Sequence, residues 1–154
     1  MTLQNPYLEA DEVQKSLERC LTSAKFLDLF AVNLIHENPD VSTYLGHLSP
    51  HKAKSILHHG LVWGLRLAHD SPSAKHVFLR VRDGVHKQLG IPNHLFDAWL
   101  VAAIAAARVS DPLFTPDLEL LWQKVLGRVV AFMKGEEMDQ WEEEPNRLAG
   151  SMAH

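Results

Sequence analysis

The stretch VRDGVHKQLGIPNHLFDAWL, residues 81–100, ends one helix and opens another across a short break. Gly90 suits a helix terminus, where glycine takes the left-handed conformation without side-chain strain, and Pro92 suits a first turn, where no backbone N–H is needed. Beyond the break, Leu95, Phe96, Trp99, Leu100, Ala103, Ile104 and Ala107 recur at three- and four-residue spacing, the mark of an amphipathic helix. His86 then falls near the end of the upstream helix. An imidazole there has two readings. It can be an exposed residue that interacts favourably with the helix dipole, or a neutral ligand that presents one ring nitrogen to a metal while the other donates to a carbonyl.

The same helical period runs outward in both directions. A first helix is expected from about Leu8 to Leu21, with Leu8, Val13, Leu17 and Leu21 on one face. Ser23 is placed to cap a second, along which Phe26, Phe30 and Leu34 recur every four residues until Asn38-Pro39 stops it. A short turn of helix follows through Tyr44-Leu45. Ser49-Pro50 opens a longer helix to about Ala68, with Ala53, Leu57, Gly60, Leu61, Gly64 and Ala68 in one stripe whose small residues suit a close helix crossing. Ser71-Pro72 starts the helix that reaches towards Gly90. Its segment Val77–Arg82 also has the composition of a strand, but the chain offers it no strand partner. Asp111-Pro112 breaks the helix opened at Pro92. The last helix starts near Thr115-Pro116 and carries Leu118, Leu121, Trp122, Val125, Val129, Phe132 and Met133. This pattern predicts an all-α chain.

Length and composition fit that reading. The 154 residues suit a single core, and 46% hydrophobic with 22% charged residues is ordinary for a folded globule. Residues 1–135 are expected to form the domain, and the acidic segment 136–154 a frayed or disordered tail; a role for Trp141 in binding a partner is the alternative. The apolar run Ala98–Ala107 is too short to cross a bilayer, so no membrane association is expected. The start MTLQNPYLEADEV lacks the basic and apolar segments of a secretory signal. With Cys20 as the sole cysteine, a cytoplasmic location and a buried thiol follow as expectations. A net charge of −4 with scattered basic residues argues against nucleic acid as a partner. Ten histidines raise the prior for metal or haem chemistry. Paired Glu-x-x-His motifs, zinc motifs, a nucleophile elbow and a phosphate-cradling glycine loop are all absent.

Around His86 the chain resembles the bacterial globins, over residues 12 to 134. His86, Gly90, Ile91 and Pro92 follow the family's order of proximal histidine, glycine, aliphatic residue and new helix. Pro39 and Leu45 in HENPDVSTYL match its turn after the second helix, and Trp122 matches the tryptophan early in its last helix. The resemblance implies an all-α, globin-like fold of seven or eight helices enclosing a slot for haem b (iron protoporphyrin). It implies His86 as the iron ligand, with Tyr44, Leu45, Leu57, Leu61, Ile91, Phe96 and Leu100 about the haem. Burying a few hundred Å² of such a plate at about 25 cal/mol per Å² would stabilise the loaded fold by several kcal/mol.

On the opposite face, the ungapped register puts Lys54 near the ligand-gating position and His58 one turn on; a shifted register brings Leu57 or His59 over the iron. His58, which flanks the apolar stripe, is the favoured choice. Many of the family's oxygen binders carry a tyrosine donor on the second helix, where this chain has Ala31 beside Phe30. The wedging phenylalanine is replaced by Leu45, and a proximal tyrosine of some relatives by Phe96.

The implied function is binding of oxygen or another small diatomic ligand, in storage, sensing or detoxification. A redox role would need a separate reductase, and a sensing role a separate effector. A homodimer through the last two helices is a further implication of the resemblance. Two other functions compete. A haemless interaction module would explain Arg82, which stands one turn before His86, where haem proteins place an apolar contact. A peroxidase-like enzyme would use His58.

Overall fold

The computed structural model describes residues 5–46, 48–86 and 91–135, with the backbone alone at Pro6, Val85 and His86. Among the described residues there are seven α-helices: α1 (Pro6–Leu21), α2 (Phe26–Glu37), α3 (Val41–Leu45), α4 (Pro50–Ala68), α5 (Pro72–Arg80), α6 (His94–Ser110) and α7 (Pro116–Lys134). The fifth continues without a break into a π-helical turn, Val81–His86. No strand occurs among the described residues, so Val77–Arg82 is helical as the missing partner implied. Gly90 and the tail 136–154 lie outside the described residues.

One local device starts four of these helices. Asn5, Ser49, Ser71 and Thr115 each accept a bond from the backbone N–H two or three residues on, and each precedes a proline. The side chain satisfies one of the first-turn donors, and the proline has none to satisfy. At the far end, Gly135 closes α7 with φ at 80°, a left-handed conformation open to glycine without strain.

Some boundaries differ from the sequence reading, for local reasons. Asn5 caps α1 three residues before Leu8, and the buried face is Ala10, Val13, Leu17 and Cys20. Leu8 lies about 140° round the helix from Val13 and is exposed. Ser23 does not cap α2. Its hydroxyl accepts from Lys25 N within the tight turn, so α2 starts at Phe26 without a side-chain cap. Pro92 belongs to the turn before α6, where the carbonyls of Pro92 and Asn93 accept from Leu95 and Phe96.

The core is built around the α6–α7 hairpin, against which α1, α2 and α4 pack. Phe26, Phe30, Trp122 and Phe132 are its largest sealed side chains. Gly64 brings α4 close to α7: a Cβ there would stand 3.5 Å from Val129 Cγ1. The hairpin's corner is fastened by Asp111, which is 3% exposed. Its carboxylate accepts from Ser16 Oγ at 2.6 Å, Arg19 Nε at 2.7 Å, Arg19 Nη2 at 3.0 Å and Leu113 N at 2.9 Å. Ser16 Oγ in turn accepts from Trp122 Nε1 at 3.0 Å. Burial pushes the Asp111 carboxyl towards its neutral form, but the Arg19, Ser16 and Leu113 hydrogen bonds outweigh it and hold the group below the ordinary carboxylate range. α1 is thereby bound to both helices of the hairpin.

Candidate functional site

At the other end of the hairpin, Lys134 at the end of α7 pairs with Asp97 at the start of α6 at 2.8 Å. The start of α6 and the end of α7 border a cavity of about 550 Å³, also bounded by α2, α3, α4, α5 and the π turn. Its wall is almost entirely apolar. Among the described lining residues, those whose side chains carry a polar atom are Tyr44, His59, Trp63 and Trp99. Ile56 and His59 are exposed as well as lining, so the cavity opens along the outer edge of α4.

Each element contributes by its period. On α4, Ile56, His59, Gly60 and Trp63 fall within about 100° of the helix circumference, with Leu57 at their flank. On α5, Val77, Phe78 and Val81 form an apolar run leading towards His86. In α geometry, residues 81 and 86 would stand about 140° apart. The i→i+5 pattern of a π turn brings positions five apart nearly over one another, so position 86 shares the register of Val81. The side chain of His86 lies outside the described residues.

Of the other residues singled out in the sequence, Tyr44, Leu45, Leu57, Ile91 and Phe96 meet at the cavity. Lys54, His58, Leu61 and Leu100 are not in its wall. Lys54 pairs with Asp28 of α2 at 3.0 Å. Leu61 is sealed in the core, and Leu100 packs against it a turn beyond Phe96. His59, rather than His58, lines the cavity; its Nδ1 shares a hydrogen with Ser55 Oγ at 3.4 Å. Lys54, His58 and Leu61 sit about 150° or more round α4 from the middle of the cavity-facing arc. The apolar stripe from Ala53 to Ala68 faces the helix core, whereas the cavity lies about a quarter turn further round.

The π turn also resolves Arg82. Its guanidinium stands 5.3 Å from the centre of the Phe132 ring, and Nη1 donates to the Phe132 carbonyl at 3.2 Å. Nε donates to Asp83 Oδ1 at 3.0 Å. Val81, not Arg82, contributes to the cavity wall, and the cation is accommodated against the end of α7.

Contributions from α7 (Val129, Val130 and Met133) and the indoles of Trp63 and Trp99 were not anticipated. Val77, Phe78 and Val81 were not assigned to the site either, although their i, i+1, i+4 spacing upstream of His86 is the signal that would have found them; the α7 residues read only as core. Among the described residues no group of three or more His, Cys, Asp or Glu side chains could hold a bare metal ion. Nor is any helix long and apolar enough to cross a membrane.

The fold is globin-like. The chain is similar to a solved structure from Pseudomonas aeruginosa PAO1, a protein described as structurally highly homologous to a human hemoglobin. The two share a TM-score of 0.73 and 23% sequence identity, over 83% of this chain and 97% of the other. No protein-family model and no curated protein matches the sequence.

Proposed function

We propose that this chain is a haem b-binding globin, in which His86 would hold the iron, and that it takes up a small diatomic molecule there. The carrying observation is the open apolar cavity beside the π turn. Its volume of about 550 Å³ lies within the range of roughly 300–1,000 Å³ typical of small-molecule and cofactor sites. A flat macrocycle with apolar faces and one polar edge suits a wall of aliphatic and aromatic side chains that opens near Ile56 and His59. Leu45, Leu57, Val81, Ile91, Phe96 and Met133 would contact its faces and exclude water. His59, at the mouth, is placed to meet a carboxylate of its polar edge. When bound, the group supplies an iron that coordinates the diatomic ligand. The chain supplies the imidazole, a dry surrounding and the constraint on access.

A haemless interaction module would be expected to fill this space with side chains, and its strongest sequence argument, Arg82, has its own partners at α7. The peroxidase-like reading relied on His58, which lies off the cavity wall. A partner reductase or effector would decide between detoxification and sensing, and a dimer through α6 and α7 is part of the same proposal.

The test is the ultraviolet–visible spectrum of the purified protein, as isolated and after adding haem, beside His86→Ala. A strong Soret band that weakens or shifts in the variant is expected. A wild type that takes up no haem would overturn the proposal.

A further inference from the structure

The charges of this chain are unevenly divided. Between Pro50 and Arg80 stand five lysines and arginines and five histidines, against one acid, Asp70. Residues 136–144 hold six of the nineteen acids and no cation, with Trp141 in their midst: EEMDQWEEE.

Part of the positive charge is gathered at the cavity mouth. Lys52, Ile56, His59, Trp63 and Arg66 fall within about 80° of the circumference of α4, so they form one strip along its outer edge. Ile56 and His59, in the middle, are exposed, and an exposed cation stands beyond them at each end. Neither Lys52 nor Arg66 meets a carboxylate among the described residues; the Arg66 guanidinium lies 4.6 Å from the centre of the Trp63 ring. Lys54, on the other side of α4, is by contrast neutralised by Asp28. The strip thus runs cation, apolar centre, cation. Its complement is an acidic segment with an apolar residue in the middle.

Such a segment begins beside the same cavity. Met133 lines the wall two residues before Gly135, and Arg82 joins the π turn to the Phe132 carbonyl at 3.2 Å. Trp141 and Glu144 follow Gly135 by six and nine residues, a reach of up to about 20 and 30 Å in an extended chain. Single exposed ion pairs are weak, but a tethered segment faces the strip at an effective concentration on the order of millimolar.

We infer that residues 136–144 dock along the outer edge of α4, with carboxylates on Lys52 and Arg66 and Trp141 against Ile56. Docked there, the segment crosses the cavity mouth, and a molecule entering at that edge displaces it. The inference is independent of what the cavity holds.

The experiment treats the full-length protein with a carbodiimide, which joins a carboxylate to an amine in contact with it, and maps the links by mass spectrometry. Links from the acids of 136–144 to Lys52 within one chain are expected. They should fall about fivefold in about 1 M salt, where the screening length is about 3 Å, and likewise in Arg66→Glu. Trp141 emission, taken as the difference between wild type and Trp141→Phe, should move to longer wavelength under the same two changes. The salt comparison needs no variant on α4 to fold. Links to Lys15 and Lys124 as frequent as those to Lys52 would overturn the inference, as would Trp141 emission indifferent to salt and to the charge reversal. Links of mixed mass between isotope-labelled and unlabelled chains would give the strip to a second copy and overturn it too.

Discussion

The two ends of the α6–α7 hairpin are finished in opposite ways. At the corner between the helices, a buried carboxylate collects donors from α1 and from the loop itself, and little space remains. At the open end, the same two helices, tied there by the partly exposed Asp97–Lys134 pair, border about 550 Å³ lined almost wholly by carbon. The closed end is largely self-sufficient, since Asp111, Ser16, Arg19 and Trp122 satisfy one another, although Ser110 Oγ, one residue before Asp111, is sealed without a partner among the described residues. The open end is complementary to something apolar that the polypeptide does not provide. A chain of this size can leave such a space because the far end fixes the hairpin independently.

The largest expected effect tests that independence. Asp111→Ala removes the common acceptor of Ser16 and Arg19 and weakens the tie to Trp122. It should cost about 3 kcal/mol in urea unfolding, most of it from buried donors left unmatched, since Arg19 can regain water. If the two ends are independent, the loss should be the same with and without haem. A much larger loss in one form would show that the corner and the cavity are coupled.

A smaller effect of opposite sign belongs to the open end. Val81→Phe adds volume to the cavity wall and is expected to stabilise the haem-free protein by about 1 kcal/mol while lowering its haem uptake. Tighter haem binding in that variant, judged by spectral titration, would contradict the assignment of this cavity as the haem site.

The closed end was the more legible of the two in the sequence. Val13 and Leu17, or Leu118, Trp122 and Val125, announce buried helix faces because packing repeats with the helix period. Proline after a capping residue marks helix starts at Ser49, Ser71 and Thr115 for an equally local reason. Asp111 read only as a helix stop, since its partners Ser16 and Arg19 come from about ninety residues away. The cavity was half legible. Tyr44, Leu45, Leu57, Ile91 and Phe96 were assigned to it through a family resemblance, and they meet there. The side of α4 was misjudged, because periodicity finds an apolar stripe without saying which edge borders a neighbouring helix and which borders space. His58 was chosen over His59 on that ground. The π turn has no sequence signal that hydrophobic periodicity could reveal, and it sets the register of position 86.

A lesser effect at the closed end depends on pH. Asp111 is held below its ordinary titration range, so its contribution is complete above about pH 4, the unfolded carboxylate value. It is lost as pH falls through the lower, folded value, because the unfolded chain then binds the proton first. Urea midpoints between pH 7 and pH 3 should fall more steeply in the wild type than in Asp111→Asn, which cannot titrate. Parallel slopes would mean that other carboxylates dominate the acid limb.

The smallest expected signal is an absence of reaction, and it gauges how tightly the closed end is sealed. Cys20 lies on α1 next to Arg19 and is fully buried. Burial, followed by the nearby charge of Asp111, pushes its thiol up to about 12. At pH 8 almost none of it is thiolate, and the sulfur is out of reach of reagents. Iodoacetamide should therefore leave the native protein unmodified over hours, by mass spectrometry, while alkylating it readily in concentrated guanidinium. Whatever slow labelling occurs should follow unfolding: faster in Asp111→Ala, and slower with haem in proportion to the stabilisation that haem confers. Labelling that is quick in the native protein and insensitive to haem would mean that α1 opens locally, and that the closed end is less self-sufficient than its hydrogen bonds imply.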